Sequence, residues 1–182
     1  MSHAPRFRQI IRVHPTGAQA HHGVLRFGPH RARCALGAAG VSKAKKEGDR
    51  ATPLGVFPLR QFWYRPDRLQ SPETAFETHQ IQQKSGWCDA PTHNAYNRPI
   101  RRPFAASHER LWRHDGLYDG FFTLGHNDDP PQAGQGSAIF LHFQKKNFQP
   151  TLGCIAVSFA TLRFIVRHAR PGCLVEITEG PQ

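Results

Sequence analysis

The hydrophobic positions of the chain fall into short runs that are bounded by glycine, proline and polar residues. Two runs near the N-terminus, Arg8 to His14 and Gly23 to Phe27, are predicted as strands joined by a polar turn around Pro15-Thr16-Gly17. Cys34 to Leu36 is predicted to continue this meander, because short apolar runs between turn residues are typical of β-strands. A charged loop from Ser42 to Thr52 follows.

Four further runs predict strands in the rest of the chain. The run from Gly55 to Tyr64 is long and aromatic, whereas Gly120 to Leu124 and Ala138 to Phe143 are almost wholly apolar and predict buried strands. Cys173 to Thr178 predicts a last strand that closes the domain.

One segment, Ser158 to Arg170, has the periodicity of an amphipathic helix. Ser158 is a suitable N-cap, and Arg170 with Pro171-Gly172 ends the helix. The apolar residues predicted to share one face are Phe159, Leu162, Ile165, Val166 and Ala169. The pattern as a whole predicts a mostly antiparallel, mainly β fold with one clear helix near the C-terminus.

Residues 66 to 118 carry no strong periodicity. Loops of this length are uncommon in compact domains and are usually functional. The segment is therefore interpreted as an irregular, cleft-forming insertion in a single domain that spans residues 1–182. The alternative is an α/β insertion whose elements the pattern does not reveal.

Charge and hydropathy limit the classes of function. The net charge of +11 favours attraction to a polyanion such as an anionic glycan or nucleic acid, and a solvated basic surface is the alternative. No recognised nucleic-acid motif is present, so no nucleic-acid partner is expected. No run of 18 apolar residues predicts a membrane span. The segment from Met1 lacks the apolar stretch of a secretory signal peptide, which leaves a cytoplasmic protein or a processed form.

The four cysteines and 12 histidines do not form a metal motif. The cysteines are Cys34, Cys88, Cys154 and Cys173, and none of them forms a C-x-x-C pair. The histidines show neither H-x-x-x-H nor H-E-x-x-H spacing. No metal and no cofactor is therefore expected, and at least one cysteine is a candidate reactive thiol.

The most informative chemistry lies in the C-terminal third. Gly136-Ser-Ala-Ile-Phe-Leu-His142 lies at the end of a predicted strand, with the His142 ring on the same face as Phe140. Thr151-Leu-Gly-Cys154 follows, and Cys154 is twelve residues after His142. A glycine before Cys154 allows a sharp turn whose N–H groups can stabilise an oxyanion. A nearby histidine can serve as base for the thiol. From the residues alone, a lone cysteine at the start of a strand is more often a small buried hydrophobic residue, and a lone histidine is more often a hydrogen-bonded polar residue, than a catalytic pair.

These two segments, with T-L-G-C-I-A-V around Cys154, resemble the active-site signature of the L,D-transpeptidase (YkuD-like) catalytic domain family. Four other segments resemble the same family: K-K-E-G-D-R-A-T-P-L-G-V-F-P from Lys45, G-W-C-D-A-P from Gly86, Y-N-R-P from Tyr96 and L-Y-D-G-F-F-T-L-G-H-N from Leu117. The resemblance runs from about Leu36 to Val175. It implies a β-sandwich-like catalytic domain with long loops, a cell-envelope location, and action on peptidoglycan tetrapeptide stems.

The reaction implied by the resemblance cuts the bond before the terminal D-residue of a stem. The acyl group then passes to an amine on another stem, giving a 3→3 crosslink, or to a free D-amino acid, giving exchange. Water as acceptor makes the enzyme an L,D-carboxypeptidase. The implied nucleophile is Cys154, the implied base is His142, and the backbone of Gly153 with that of Cys154 is implied to hold the oxyanion.

Two positions depart from the commonest family motif. Leu152 replaces a second histidine, and Ala156 replaces an arginine suited to bind a carboxylate. Arg98, Arg101 or Arg102 is a candidate to supply that charge. The residues expected to contact substrate are Thr151, Leu152, Ser137, Trp87, Asp89, Tyr96, Asn97, Glu109 and Asn127.

Three hypotheses follow. The first is an L,D-transpeptidase, in which Cys154 is expected to be accessible, to have a depressed pKa, and to be acylated by β-lactams. The second is a hydrolase or acyltransferase of the same fold with another peptide-like substrate. The third is a basic module that binds nucleic acid or an anionic glycan without catalysis, and thiol reactivity separates it from the other two. An anionic cell-wall polymer is a candidate partner of the chain.

Overall fold

The computed structural model describes residues 8–17 and 19–180. Met1 to Phe7, the start of the segment considered above for a signal peptide, lies outside the described residues. The first strands are β1 (Ile10–Pro15), β2 (His22–Phe27), β3 (His30–Ala35), β4 (Val41–Ser42), β5 (Thr52–Pro53), β6 (Gly55–Tyr64) and β7 (Thr78–Gln80). The later strands are β8 (Ser85–Cys88), β9 (Pro99–Arg101), β10 (His108–Arg110), β11 (Gly120–Leu124), β12 (Phe140–Phe143), β13 (Ile155–Val157) and β14 (Leu174–Ile177). The α-helix α1 is Phe159–His168, and a 3₁₀ turn spans Lys146–Phe148.

Nine of the strands within the described residues form one sheet that closes into a barrel-like shell. The strand order is β11-β12-β13-β3-β2-β1-β14-β6-β7, and β11 also pairs with β6. Strand β6 makes this closure because its residues Gly55 to Pro58 pair with β14, whereas Leu59 to Tyr64 pair with β11. The expected β-sandwich is therefore corrected to a barrel-like sheet, since one long strand joins both edges of the same sheet.

The predicted mainly β fold and its mostly antiparallel pairing are confirmed. β1, β2 and β3 form the expected antiparallel meander. Strands β6 and β11 have the predicted bounds, and β14 lies within the predicted Cys173–Thr178 segment. Strand β12 begins two residues later than predicted, because Ala138 has a left-handed backbone with φ of 53°. The parallel pairs are β1 with β14, β4 with β5, β6 with β7, and β12 with β13.

Strands β11 and β12 are buried on both faces, as their apolar sequences predict. Since side chains alternate along a strand, Phe122 and Leu141 belong to the main core inside the barrel, whereas Phe121 and Phe140 lie on the outer face. The apolar residues on that outer face, here named the outer cluster, are Trp63, Ile81, Trp87, Leu111, Leu117, Tyr118, Phe121, Ala138, Phe140 and Cys154.

Helix α1 packs on the main core through Leu162, Ile165 and Val166, as predicted. Ser158 caps it by accepting a hydrogen bond from the Thr161 N–H. Phe159 departs from the predicted buried face: it is 55% exposed, because it begins the helix at the edge of the core. None of the helices in residues 8–17 and 19–180 combines the length and the apolar character needed to cross a membrane.

The segment from 66 to 118 lies over the outer face of the barrel. Its regular elements are strands, of which β7 extends the main sheet and β10, β8 and β9 form a separate three-stranded sheet. Trp87, Leu111 and Leu117 of this segment belong to the outer cluster. The segment thereby covers β11 and β12 and brings its loops beside the strand that carries His142.

Candidate active site

His142 and Cys154 reach the same cleft from neighbouring strands. β12 and β13 pair in parallel with His142 opposite Ala156, so Cys154, two residues before Ala156, lies on the same face as the imidazole. Cys154 directly precedes β13, which confirms the expected junction of a loop with a strand. The cleft has a volume of about 540 Å³, and both side chains line it.

The Cys154 thiol is held as a neutral group. Its side chain is buried, with the residue 7% exposed, and Sγ donates to the Ala138 carbonyl oxygen at 3.2 Å while accepting from the Phe140 N–H at 3.4 Å. Burial, with a smaller effect of the Glu109 carboxylate, raises the pKa of the Cys154 thiol to about 12. The expectation of an accessible thiol with a depressed pKa is therefore wrong, because desolvation outweighs the neighbouring N–H donor and Lys45.

His142 is held as a neutral imidazole with a defined tautomer. Nδ1 lies 2.7 Å from the Phe143 carbonyl oxygen. Because a carbonyl oxygen only accepts, Nδ1 carries the proton and Nε2 keeps a free lone pair. Burial lowers the pKa of His142 to about 4, and the hydrogen bond to Phe143 opposes this shift. At neutral pH the side chain is thus a base with an available nitrogen.

The turn before Cys154 is fixed by the Thr151 hydroxyl. Thr151 Oγ1 donates to the Cys154 carbonyl oxygen at 2.7 Å and accepts from the Gly153 N–H at 3.1 Å. Gly153 has φ of +136°, and a Cβ there would stand 2.9 Å from the Ala51 carbonyl oxygen, so the position requires glycine. Since the Gly153 N–H already donates a hydrogen bond to Thr151 Oγ1, the Cys154 N–H is the stronger candidate donor for an oxyanion.

Tyr118 and Glu109 form one wall of the cleft. The Tyr118 hydroxyl donates to Glu109 Oε1 at 2.7 Å, and its ring meets the His142 ring edge-on with centroids 5.3 Å apart. The Tyr118 ring also contacts Phe140 edge-on, which agrees with the predicted common face of Phe140 and His142. Burial raises the pKa of Glu109, and Arg113, 3.9 Å away, opposes the shift.

The expected contact residues divide into two groups. Those that line the cleft with the dyad are Thr151, Leu152, Ser137 and Glu109. Leu152 stands on the rim and is 74% exposed, whereas Ser137 is buried. Those outside the lining are Trp87, Asp89, Tyr96, Asn97 and Asn127.

Asn97 is the centre of a hydrogen-bonded support behind the cleft. Its Oδ1 accepts from Trp87 Nε1 at 2.9 Å and from the Ala138 N–H at 3.0 Å. Its Nδ2 donates to the carbonyl oxygens of Asn127, at 2.7 Å, and His126, at 3.1 Å. Asn97 therefore fixes Ala138, whose carbonyl oxygen accepts the hydrogen bond from the Cys154 thiol.

The other outlying residues contact cleft residues in turn. The Tyr96 hydroxyl donates to Glu47 Oε2, a cleft group, at 2.5 Å, and burial with this carboxylate raises the pKa of Tyr96. Asp89 lies close enough to Glu109 that its charge contributes to the raised pKa of that carboxyl. Asn127 closes its own loop through Gln132 and Gly136.

The arginines proposed to replace the motif arginine lie elsewhere. Arg98 lines a separate cavity of about 670 Å³ with Trp87 and Asn97, and neither Arg101 nor Arg102 lines the cleft. The hypothesis is corrected, since β8 and β9 turn this part of the chain away from the dyad. The cations that do line the cleft beside Ala156 are Arg50, Arg113 and Lys145.

Sequence reasoning also missed Tyr118, Glu47 and Leu117 as cleft residues. All three, like Arg50, lie in segments that resemble the family, so a signal was present for them. No motif marked Arg113 or Lys145. Their positions depend on how the 66–118 segment and the residues after β12 fold onto the barrel.

Among the described residues, neither the other cysteines nor the possible metal ligands form a second site. Cys34, Cys88 and Cys173 are free and buried. Burial raises the pKa of Cys34 to about 12, as it does for Cys154, so location in the cleft and not acidity distinguishes Cys154. In residues 8–17 and 19–180, no three histidine, cysteine or carboxylate side chains are placed to hold a metal ion.

Fold and site together define the class as a barrel-like, mainly β protein with a cysteine and a histidine in one cleft. The chain matches the L,D-transpeptidase catalytic domain (YkuD) over residues 8–177, and it belongs to this family, as the motifs predicted. Members are usually enzymes that act on peptidoglycan, and they are commonly associated with the cell envelope. No curated protein and no solved structure matches the chain.

Proposed function

We propose that this protein is a cysteine L,D-transpeptidase that acts on peptidoglycan tetrapeptide stems through a thioacyl-enzyme on Cys154. The observation that carries the proposal is the placement of Cys154 and His142 on one face of the parallel pair β12–β13, where both line one cleft. The neutral His142 imidazole supports it further, since Nε2 is free to take a proton.

The first half-reaction starts from a neutral pair. The Cys154 side chain turns from the Ala138 carbonyl oxygen toward His142, and Nε2 takes the thiol proton as sulfur attacks the carbonyl carbon before the terminal D-residue. The Cys154 N–H stabilises the oxyanion. The imidazolium then protonates the leaving amine, the C–N bond breaks, and a thioester remains on Cys154.

The second half-reaction reverses these roles. His142 removes a proton from the acceptor amine, which attacks the thioester, and the Cys154 thiolate leaves and regains its proton. An amine on another stem gives a 3→3 crosslink, and a free D-amino acid gives exchange. With water as acceptor the same steps give an L,D-carboxypeptidase.

A thiol with a pKa of about 12 and a base with a pKa of about 4 leave very little thiolate in the free protein. Proton transfer is therefore expected to accompany attack on a bound substrate rather than precede it. This predicts low reactivity of Cys154 toward small electrophiles and higher reactivity toward ligands that fill the cleft.

The remaining parts of the proposal concern domain, partner and location. Residues 1–182 are proposed to act as one catalytic domain, whose 66–118 segment supplies Glu109, Arg113 and Tyr118 to the cleft wall. Peptidoglycan stem peptides are the proposed partners, at the cell envelope. The net charge of +11 supports an added attraction to an anionic cell-wall polymer.

Mass spectrometry of purified tetrapeptide muropeptides, with and without a free D-amino acid, tests the proposal. Wild type is expected to give dimers or exchange products, and Cys154→Ala is expected to lose activity by roughly a thousandfold or more. Cys173→Ala, which changes another buried cysteine, is the matched control and should retain activity.

The product identifies the reaction. Tripeptide alone would indicate the carboxypeptidase. No product from a folded protein whose Cys154 reacts with a β-lactam would indicate another peptide-like substrate. A Cys154→Ala variant with normal turnover would refute the thioacyl mechanism, and an inert Cys154 would favour the non-catalytic, polyanion-binding module.

A further inference from the structure

The cleft carries two cations that the mechanism above does not use. Ala156 leaves the wall beside His142 without the arginine of the commonest family motif, whereas Arg50, Arg113 and Lys145 all line the same cleft. Of these three, Arg113 is already paired: its Nε lies 3.0 Å from Asp115 Oδ1, and Nη1 lies 3.9 Å from Glu109.

Arg50 and Lys145 have no such partner. Within residues 8–17 and 19–180, neither side chain has a carboxylate oxygen within 4.0 Å. The two cleft carboxylates are each held by a phenol, Glu47 by Tyr96 and Glu109 by Tyr118. The two cations therefore remain available to an anionic ligand.

The backbone of Arg50 is held in a defined conformation close to the turn that precedes the nucleophile. Its φ of 59° is left-handed, a conformation that costs a non-glycine residue about 1 kcal/mol. Two hydrogen bonds maintain it: the Arg50 carbonyl oxygen accepts from the Ala39 N–H at 3.1 Å, and Asp49 Oδ1 accepts from the Ala51 N–H at 2.9 Å. The next carbonyl, that of Ala51, abuts Gly153. Strained residues of this kind concentrate at ligand sites.

Lys145 lines the same cleft, and its charge acts on the proposed base. It follows β12 by two residues, and its charge contributes to the lowered pKa of His142. In the proposed reaction His142 protonates the leaving amine, and in an amino acid the carboxylate is attached to the same carbon as that amine. A cation beside His142 is therefore close to where a terminal carboxylate would lie.

We infer that Arg50 and Lys145 form a carboxylate-binding site, which selects acyl donors or amine acceptors that carry a free α-carboxylate. The inference rests on the proposed function for its substrate, but its recognition chemistry is independent of turnover. Arg50 supplies a planar guanidinium that can bind a carboxylate through two N–H groups, and Lys145 supplies a point charge.

Alkylation of Cys154 by iodoacetate and by iodoacetamide tests the site without any peptidoglycan substrate. In both reactions sulfur displaces iodide, the S–C bond forms and the thiol proton is released, but only iodoacetate carries a carboxylate. The readout is the ratio of the two rates at the Cys154 peptide, measured by mass spectrometry and divided by the same ratio for free cysteine.

Wild type is expected to favour iodoacetate, and Arg50→Gly and Lys145→Gln are each expected to lower the ratio about fivefold. Because glycine adopts a left-handed backbone without strain, Arg50→Gly is not expected to destabilise the protein, and a changed ratio can be attributed to the lost guanidinium. The matched controls, Arg26→Gln on β2 and Lys146→Gln beside Lys145, remove the same charge outside the cleft and should keep the wild-type ratio. The preference should weaken at high salt.

The outcomes separate the two proposals. A reactive Cys154 whose ratio is the same in wild type, Arg50→Gly and Lys145→Gln overturns the carboxylate site alone. A shifted ratio in a protein that leaves muropeptides unchanged supports the site and contradicts the peptidoglycan substrate. A Cys154 that reacts with neither reagent at alkaline pH and is not acylated by a β-lactam that fills the cleft overturns both the proposed nucleophile and the site.

Discussion

His142 lies directly opposite Ala156 across the parallel strands β12 and β13. The position that carries an arginine in the commonest family motif is thus the register partner of the proposed base. An alanine there leaves the imidazole without a cation from β13. The cleft cations that have no carboxylate partner within the described residues come instead from Arg50, before β5, and Lys145, after β12.

His142→Gln is expected to make stability less dependent on pH. The folded-state pKa of about 4 lies below the ordinary value of 6.5. Between these values the unfolded chain binds a proton that the folded chain does not, so wild-type stability is complete above pH 6.5 and falls as pH falls toward 4. At pH 5 the loss relative to pH 7.5 is about 2 kcal/mol, and the variant should lack it.

Urea unfolding at pH 7.5 and pH 5 measures this difference. His114→Gln, which removes an exposed histidine from the same part of the chain, should retain the wild-type dependence. Equal pH dependence in His142→Gln and wild type would show that His142 is not buried as a neutral base.

Glu109→Gln is expected to make Cys154 more reactive toward iodoacetamide at mildly alkaline pH. The Glu109 carboxylate contributes to the raised pKa of the Cys154 thiol. The Tyr118 hydroxyl, which in the wild type donates a hydrogen bond to Glu109, acts to lower that pKa. Removing the negative charge should move the pH profile of alkylation to lower pH. Glu73→Gln, which removes an exposed carboxylate elsewhere in the molecule, should leave the pH profile unchanged. A shift of the profile to higher pH in Glu109→Gln would contradict the assigned effect of the Glu109 charge.

Gly153→Ala is expected to destabilise the protein by about 3 kcal/mol. The added Cβ meets the Ala51 carbonyl oxygen at 2.9 Å, and φ of +136° disfavours any side chain. Gly134→Ala is the control, because Gly134 also has positive φ but no atom within 4 Å of a Cβ. Thermal and urea unfolding should show a much larger loss for Gly153→Ala, and equal losses would mean that the Ala51 contact is unimportant.

Asn97→Ala is expected to cost about 3 kcal/mol of stability, because it leaves the Trp87 and Ala138 N–H groups without their buried acceptor. It should also lower transpeptidase activity, since Ala138 holds the Cys154 thiol. Asn147→Ala is a control matched in backbone strain, with φ of 58° and an exposed side chain. If both variants unfold at the same urea concentration, the proposed support through Asn97 is wrong.

Much of the local structure was predictable because it depends on neighbours in sequence. The apolar runs of β6 and β11 and the Ser158 cap of α1 needed no distant contact to be recognised. The candidate pair Cys154 and His142 was likewise recognised from two short segments. The match to the L,D-transpeptidase catalytic domain confirmed the family to which those segments belong.

Other features depended on contacts between residues far apart in the chain. The barrel-like closure arises from the pairing of the two halves of β6 with β14 and β11, which no local pattern specifies. The raised pKa of Cys154 arises from burial under the 66–118 segment and from Glu109. The same folding decided that Arg98 faces another cavity and that Lys145 lies beside His142.

The sequence by itself therefore determined the family, the mainly β composition and the residue types available for chemistry, because periodicity and short motifs are properties of adjacent residues. The tertiary structure decided the closure of the sheet, the protonation states of Cys154 and His142, and which charges share their cleft. Desolvation and electrostatic interaction depend on distance in space, and only the packing of the 66–118 segment against β11 and β12 sets those distances.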